Sequence, residues 1–437
     1  MADDWARTLL ADPDLGAEPP STVDPDRAVR DGRRRTRTRR AGTTLLVAGA
    51  TTLIVAGVPA MLRPANQPGP AAMAASPAPT DAQPPRATDT QPPASCRLEP
   101  LTRPAGAVEG SVFAGDPSGR YAVGVVHRDP IARRDGATDH VIGPATGNHI
   151  VLWDNDRPAV LSPPRSGSVY ALAVDATGTA IVSLRADDGS VVSWTVHSGA
   201  FTELANPGGG YAAVDINARG DIVGVWPDPA GVHPPVVWPA GRYGRPRVLT
   251  GGDPGDHVVA FAGGIDDDGT VAGTTASQWR GSSPPPADLV RAQPVVWSPG
   301  GVARALPAPD GFGSVGWVFA VRDGIAVGHV ERPDPDADRR GNRAAFWDLR
   351  TGTATVNEGV VWADAVNRHG WYVGRTAEQS PSRPVAVYGN WIVMLPMPGA
   401  PTPDDGGAVT MSDDGRTIAG TTRTDAAGRQ PVRWRCS

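Results

Sequence analysis

Short apolar segments alternate with tight turns along most of the chain, in a unit that recurs from residue 111 to residue 436. Each unit passes from an apolar segment through a turn, in which Asp, Asn or Ser precedes Gly by three residues, into a second apolar segment that often ends in Val-Gly or Ala-Gly. The clearest copy runs from Tyr211 to Gly224. A polar side chain that caps the turn and a glycine at positive φ are typical of type I turns. The pattern predicts a repeated antiparallel hairpin.

The turn spacing is shared by six units, and a seventh keeps only the glycine. The pairs are Asp116/Gly119, Asp175/Gly178, Asn217/Gly220, Asp266/Gly269, Asn367/Gly370 and Ser412/Gly415, with Val321/Gly324 as the copy that lacks the polar residue.

A third segment in each unit ends in an aromatic residue, and a short fourth segment follows it. The aromatic residues are Trp153, Trp194, Trp238, Trp297, Trp347, Tyr388 and Trp434. Four strands in about 40–50 residues form one blade of a β-propeller. The sequence therefore predicts an all-β, seven-bladed β-propeller over residues 96–437. Six and eight blades remain alternatives, because the second unit has Ser183 where the others have Gly.

The two ends of the repeat region complement each other. The last unit stops at Cys436 and lacks a fourth strand. Residues 96–101, before the first unit, resemble a fourth strand that belongs to no unit of their own. If the N-terminal strand completes the last blade, the ring closes, and Cys96 and Cys436 lie on neighbouring strands. A disulfide across that loop would stabilise the fold by on the order of 5 kcal/mol, and it requires an oxidising compartment. Two free buried thiols are the alternative.

The N-terminal region predicts a membrane anchor. Residues 41–62 carry no charge, and a helix of that length spans roughly 33 Å, the thickness of a hydrocarbon core. The Arg-rich segment 33–40 precedes the run, which places the tail, residues 1–40, in the cytoplasm and the rest of the chain outside the cell. A cleaved signal peptide is the alternative, although its charged region would be unusually long.

Residues 63–95 are rich in Pro and Ala and show no hydrophobic periodicity, which predicts a disordered, extended stalk. The net charge of −5 gives no basic excess for nucleic acid. The Arg-rich tail could bind anionic lipid headgroups or a cytoplasmic partner, and a plain topology signal is the simpler interpretation.

A family resemblance follows from the repeat. The segment Ala213 to Gly224 and the third strand that ends Ala344-Ala-Phe-Trp347 resemble the bacterial extracellular repeats named for a His-Ala-Phe motif, and WD-type propellers in general. The resemblance covers about residues 111–436 and implies a propeller fold. His-Ala-Phe itself is absent from every copy. The order of anchor, stalk and propeller is similar to that of actinobacterial cell-surface proteins.

The long, irregular loops are the predicted binding face, because variable loops on a rigid scaffold usually carry function. These loops are residues 126–148, 275–292, 330–343 and 396–407. Two sets of ligand-binding candidates lie in them: Trp279 with Arg280, and His127, Arg128, Arg133 and Arg134. Packing of the Trp and a solvated basic loop are the simpler interpretations. A weak calcium candidate is formed by Asp334, Asp336 and Asp338, where an EF-hand would require Gly in place of Arg339. A solvated acidic loop is the simpler interpretation.

No catalytic motif is present, and no cofactor is predicted. The expected function is therefore non-catalytic: a surface module that binds an extracytoplasmic protein, glycan or small ligand, as a sensor or adaptor. The alternatives are an extracytoplasmic hydrolase or lyase on a propeller scaffold and a structural factor in envelope assembly.

Overall fold

A computed structural model describes residues 91–128, 148–186, 188–206, 210–225, 234–249, 257–277, 292–312, 316–331, 341–377, 382–398, 406–424 and 428–437. Within these ranges, 28 strands form seven four-stranded antiparallel sheets. Each sheet is one blade, and six blades contain four consecutive strands. The fold is a seven-bladed β-propeller, as the repeat pattern predicted, and the six- and eight-bladed alternatives are wrong.

The strands of the first three blades are β2 (Glu109–Gly115), β3 (Tyr121–His127), β4 (Asn148–Asp154) and β5 (Arg157–Leu161); β6 (Ser168–Val174), β7 (Ala180–Arg185), β8 (Val191–His197) and β9 (Ala200–Glu203); and β10 (Ala212–Ile216), β11 (Ile222–Val225), β12 (Val236–Trp238) and β13 (Arg247–Val248). Blades 4 and 5 contain β14 (His257–Ile265), β15 (Val271–Ser277), β16 (Ala292–Trp297) and β17 (Ala303–Ala305); and β18 (Gly316–Arg322), β19 (Ile325–Val330), β20 (Arg343–Asp348) and β21 (Thr353–Asn357). Blades 6 and 7 contain β22 (Val360–Val366), β23 (Tyr372–Thr376), β24 (Pro384–Tyr388) and β25 (Trp391–Met394); and β26 (Gly406–Met411), β27 (Thr417–Thr424), β28 (Gly428–Cys436) and β1 (Cys96–Pro100).

Ring closure follows the prediction. The N-terminal strand β1 pairs antiparallel with β28, so the last blade combines both ends of the propeller. Cys96 lies opposite Cys436 in this pairing, and the two are joined by a disulfide across a sequence separation of 340 residues. The predicted disulfide is confirmed.

The hydrophobic core lies between neighbouring blades, and the repeated aromatic residues are part of it. Their side chains are buried in all seven blades. In four blades the indole N–H also donates a hydrogen bond to a carbonyl of the segment that leads into the same blade; for example, Trp153 bonds to Thr102 and Trp347 bonds to Pro307. A buried indole N–H requires such a partner. Each of these aromatic residues therefore ties the third strand to the chain segment that begins its blade.

A β-bulge interrupts the pairing of every innermost strand with the second strand. In blade 5, for example, Phe319 is the extra residue, because Val318 pairs with Gly328 and Ala320 pairs with Val327. A Cβ on Gly328 would lie 1.8 Å from the carbonyl oxygen of Trp317, far inside contact distance. The recurrent glycine of the second strand is therefore required by the bulge.

Blade 2 departs from this rule in a consistent way. It has Ser183 at the glycine position, and its bulge lies at Tyr170, two residues farther from the turn than in the other blades. The Ser183 hydroxyl forms a hydrogen bond with Ser193 at 2.7 Å and donates one to the carbonyl of Ala213 in blade 3 at 2.8 Å. The irregular second unit is thus a complete blade.

Blade 5 departs at its turn. Its first hairpin closes over two residues, Asp323 and Gly324, which both have positive φ, as in a type I′ turn. The missing polar cap is supplied by blade 4, because the Asp266 carboxylate accepts hydrogen bonds from both backbone amides at 2.9 and 2.7 Å.

The predicted tail, the apolar run 41–62 and the stalk as far as residue 90 lie outside the described residues. No helix of the described part is long and apolar enough to cross a membrane.

Candidate functional site in the central channel

The innermost strands of the seven blades surround a central channel. A cavity of about 570 Å³ occupies the end of this channel at which the turns between the first and second strands lie. Each blade contributes one residue to a ring around this cavity. In six of the blades, that residue lies three positions before the first residue of the turn. The ring consists of Phe113, Leu172, Val214, Gly263, Phe319, Asp364 and Val409. Six of these residues are uncharged, and Asp364 is the exception.

Asp364 is the bulge residue of β22, and a bulge re-aims a side chain out of the alternating pattern of a strand. Its carboxylate accepts no hydrogen bond from any residue that the structure describes. Enclosure by the surrounding protein raises the pKa of Asp364 to about 6, against the opposing attraction of Arg375 on the next strand. The residue is half-buried, because the carboxylate faces the cavity while protein surrounds it on all other sides.

A second carboxylate, Asp215 of blade 3, lines the cavity on the opposite side. Its two oxygens accept backbone hydrogen bonds from Ile216 and from Ile265 of blade 4, both at 2.9 Å. Burial raises the pKa of Asp215 to about 6, and these two amides partly oppose the effect. Gly264 leaves the space that this side chain needs, since a Cβ there would lie 3.0 Å from the carboxylate. Asp215 thus joins two blades and has less acceptor capacity left for a ligand.

A charged bridge crosses the mouth of the cavity. Arg322 of blade 5 donates hydrogen bonds to Asp267 of blade 4 at 2.7 Å and to Asp413 of blade 7 at 2.9 Å. The backbone amide of Asp413 in turn donates to the carbonyl of Pro117 in blade 1 at 2.6 Å. The positive charge of Arg322 is therefore matched by two carboxylates and is not available to attract an anion.

An aromatic cluster lies between blades 5 and 6, next to the ring. Phe319 contacts His329 with ring centroids 5.3 Å apart, and His329 lies 6.2 Å from Trp362. Burial lowers the pKa of His329 to about 4, so the imidazole is neutral near pH 7. Phe319 is 36% exposed although it belongs to an innermost strand, because it faces the open space of the channel.

The candidates named from the sequence fall into two groups, one outside the described residues and one within them. Trp279, Arg280, Arg133, Arg134 and the three acidic residues Asp334, Asp336 and Asp338 lie outside the described residues. Elsewhere in the described ranges, no group of His, Cys, Asp and Glu side chains could hold a metal ion.

Two candidates do lie in the described part. His127 is the last residue of β3 and is 3% exposed, opposite Glu109 in the strand pairing, so it belongs to a blade and not to the basic loop in which it was expected. Arg128 follows the strand and is exposed.

The channel residues were not recognised from the sequence. A signal was present, because Asp364 interrupts the apolar segment Val360 to Val366 and Asp215 interrupts Ala212 to Ile216. A charged residue inside an innermost strand has no place in the blade core, which leaves the channel as its environment.

No protein-family model matches the chain, and no curated protein matches its sequence. Solved structures do match. The β-propeller domain of the Trilobed protease from Pyrococcus furiosus is 10% identical, with a TM-score of 0.47, and the match covers 75% of this chain and 94% of that one.

Two peptidases match over part of their length. The acylaminoacyl peptidase of Pyrococcus horikoshii is 9% identical with a TM-score of 0.44, and the match covers 74% of this chain and 52% of that one. A Mycobacterium tuberculosis puromycin-hydrolyzing peptidase is 13% identical with a TM-score of 0.44, with 79% and 55% covered. The chain spans about half the length of these two proteins. Such likenesses concern the fold alone, and the assignment of seven blades rests on the strand order described above.

Proposed function

We propose that the chain is a single-pass membrane protein that presents an extracytoplasmic β-propeller, and that this propeller binds a small ligand in its central channel. The apolar run 41–62 and the Arg-rich segment before it support the anchor and its orientation. The disulfide between Cys96 and Cys436 supports an oxidising compartment for the propeller.

The cavity around Asp364 carries the proposal. Pockets for small molecules are concave and mostly apolar, with a few polar groups that fix orientation, and their volumes are about 300–1,000 Å³. The channel cavity has this size, an apolar ring, and one carboxylate with unused acceptors. A buried polar group without a partner costs stability, so its presence in a wall favours a ligand that completes it.

The dimensions of the cavity distinguish between the three ligand classes expected from the sequence. A protein or a polymeric glycan would have to bind across the mouth, where the bridge of Arg322 to Asp267 and Asp413 lies. A small molecule fits inside. Of the three ligand classes, protein, glycan and small molecule, the geometry therefore favours the small molecule.

Binding is tested by screening a fragment library by ligand-observed NMR against the wild-type protein and against Val214→Trp, which places an indole in the ring. Val160→Trp is the matched control, because Val160 is 44% exposed on an outermost strand. Fragments that bind the wild type and the control but not Val214→Trp establish a channel site. If all fragments bind the three proteins equally, or none bind, the channel proposal is wrong.

The topology is tested separately in intact cells. An antibody is expected to bind an epitope tag added at the C-terminus of the full-length chain, while a tag added at the N-terminus stays protected from external protease. Absence of antibody binding to the C-terminal tag, or loss of the N-terminal tag to external protease, would contradict the proposed orientation.

A second candidate function is hydrolysis. Its support is that one cavity contains two carboxylates, Asp215 and Asp364, whose pKa values lie near 6, as general acid–base catalysis near neutral pH requires. Incubation of the purified protein with peptide and oligosaccharide libraries tests it. Turnover that disappears in Asp364→Asn would establish the enzyme, and binding without turnover would leave the channel as a binding site.

A further inference from the structure

We propose that the channel ligand is an organic cation, with its charged nitrogen against the carboxylate of Asp364 and its apolar body against Phe319 and the rest of the ring. This inference rests on the proposed function, since it names the ligand class of the same cavity.

The balance of charge in the cavity favours a cation. Five aspartates and two arginines line the cavity among the described residues, and one of the arginines, Arg322, is already matched by Asp267 and Asp413. Arg375 lies on the strand next to Asp364, but the two side chains form no ion pair. The carboxylate of Asp364 is thus the strongest unsatisfied charge in the ring, and an ammonium group would both pair with it and donate hydrogen bonds to it.

The position of the carboxylate favours a cation with an apolar body. In the order of the blades, Asp364 lies between Phe319 and Val409, and Phe113 follows on the next blade. The face of an aromatic ring attracts a cation, and this attraction is strongest where water is excluded. Phe319 is the aromatic residue of the ring that is most clearly presented to the open channel, at 36% exposure.

Other ligand classes fit less well. An anion would meet a lining in which five aspartates, Asp364 and Asp215 among them, outnumber the two arginines, Arg322 and Arg368. A metal ion would need several ligands at one point, and Asp364 has no such neighbours among the described residues. A neutral sugar would need several hydrogen-bonding partners, whereas the other six ring positions are Phe, Leu, Val or Gly.

The test is a fragment library with equal numbers of cationic, neutral and anionic members, matched in size, and supplemented with choline and its neutral isostere 3,3-dimethylbutan-1-ol. Channel binders are defined as those lost in Val214→Trp and kept in Val160→Trp. We expect channel binders to be enriched in cations, and each cation to lose at least tenfold in affinity in Asp364→Asn. Asp310→Asn is the control for net charge, because Asp310 is exposed and lies outside the cavity.

The outcomes separate the inference about the ligand class from the proposed function of the channel. Channel binders without enrichment in cations, or cations that keep their affinity in Asp364→Asn, overturn the inference and leave the proposed function standing. An absence of any channel binder overturns the proposed function, and with it the inference. If Val214→Trp fails to fold, Val409→Trp on blade 7 fills the same ring from a partly buried position and replaces it.

Discussion

Asp364→Asn is expected to stabilise the protein at neutral pH and to do so less and less as the solution is acidified. The substitution keeps the shape of the side chain and removes its charge. In the folded protein the pKa of Asp364 is raised from 3.8 to about 6, because the protein encloses the carboxylate. The folded state therefore binds the proton more tightly than the unfolded state, and stability falls as the pH rises from about 4 to about 6.

The magnitude follows from the size of the shift. Each pKa unit corresponds to about 1.4 kcal/mol, so a shift of roughly two units costs up to about 3 kcal/mol of unfolding free energy above pH 6. Water in the channel screens part of this cost. Asparagine removes the cost, so the variant should gain about 1–3 kcal/mol at pH 7.5 and almost nothing at pH 3.5, where the aspartate is mostly protonated in both states.

Asp215→Asn provides the informative comparison. The pKa of Asp215 is also raised to about 6, but both of its oxygens accept backbone hydrogen bonds. Asparagine offers one acceptor oxygen, so one buried amide would lose its partner at a cost of about 1–3 kcal/mol. The loss offsets the gain from removing the charge. We therefore expect little or no net stabilisation at position 215.

The assay is urea-induced unfolding followed by tryptophan fluorescence at pH values between 3.5 and 8, for the wild type, both variants and Asp310→Asn. The difference between Asp364→Asn and the wild type should grow with pH up to about 7 and then stay constant. A pH-independent difference would show that the effect comes from packing, and a destabilised variant at pH 7.5 would show that the carboxylate has a partner. Either result would refute the reasoning.

Three further perturbations test the fold and the mouth of the channel. Replacing Cys96 and Cys436 by Ser should lower the unfolding free energy by up to about 6 kcal/mol in the chain-entropy model, measured by urea unfolding without reductant; an unchanged midpoint would contradict this. Gly328→Ala should cost at least about 1–3 kcal/mol through overpacking against the Trp317 carbonyl, and a thermal melt identical to the wild type would show that the bulge tolerates a Cβ. Arg322→Ala should cost about 1–3 kcal/mol at pH 7, because the half-buried Asp413 and the more exposed Asp267 lose their shared partner. The measurement is thermal unfolding, with Arg322→Lys as the partial rescue, and equal stability of all three proteins would show that the bridge contributes nothing.

The propeller could be predicted from the sequence because its information is repeated. The turn residues recur in six units and the buried aromatic residue of the third strand in seven, so one weak copy does not hide the pattern. Ring closure could be predicted too, because the segment that begins at Cys96 supplies the strand that the last unit lacks.

The site could not be predicted in the same way, because it depends on what is not repeated. The recurrent glycine of the second strand was recognised, yet its cause, a bulge on the facing strand, is a property of pairing and not of either segment alone. If the bulge is not known, Asp364 looks like an ordinary polar residue in a strand whose side chains alternate between two faces, and nothing indicates that it faces the channel. The binding face was expected among the long loops, and most of that expectation lies outside the described residues, so it stays a prediction.

The position of the disulfide has a mechanical consequence. The segment that precedes residue 91 reaches the propeller at β1, whose first residue is Cys96. A pulling force transmitted along that segment meets the backbone hydrogen bonds of Ala94 and Ser95 with Ser437, and then the covalent link to Cys436, ahead of the rest of the β1–β28 ladder. The load therefore passes directly into the last blade, and the closing strand cannot be peeled away bond by bond. A propeller tethered by this end would keep its ring closed under tension for as long as the disulfide stays oxidised.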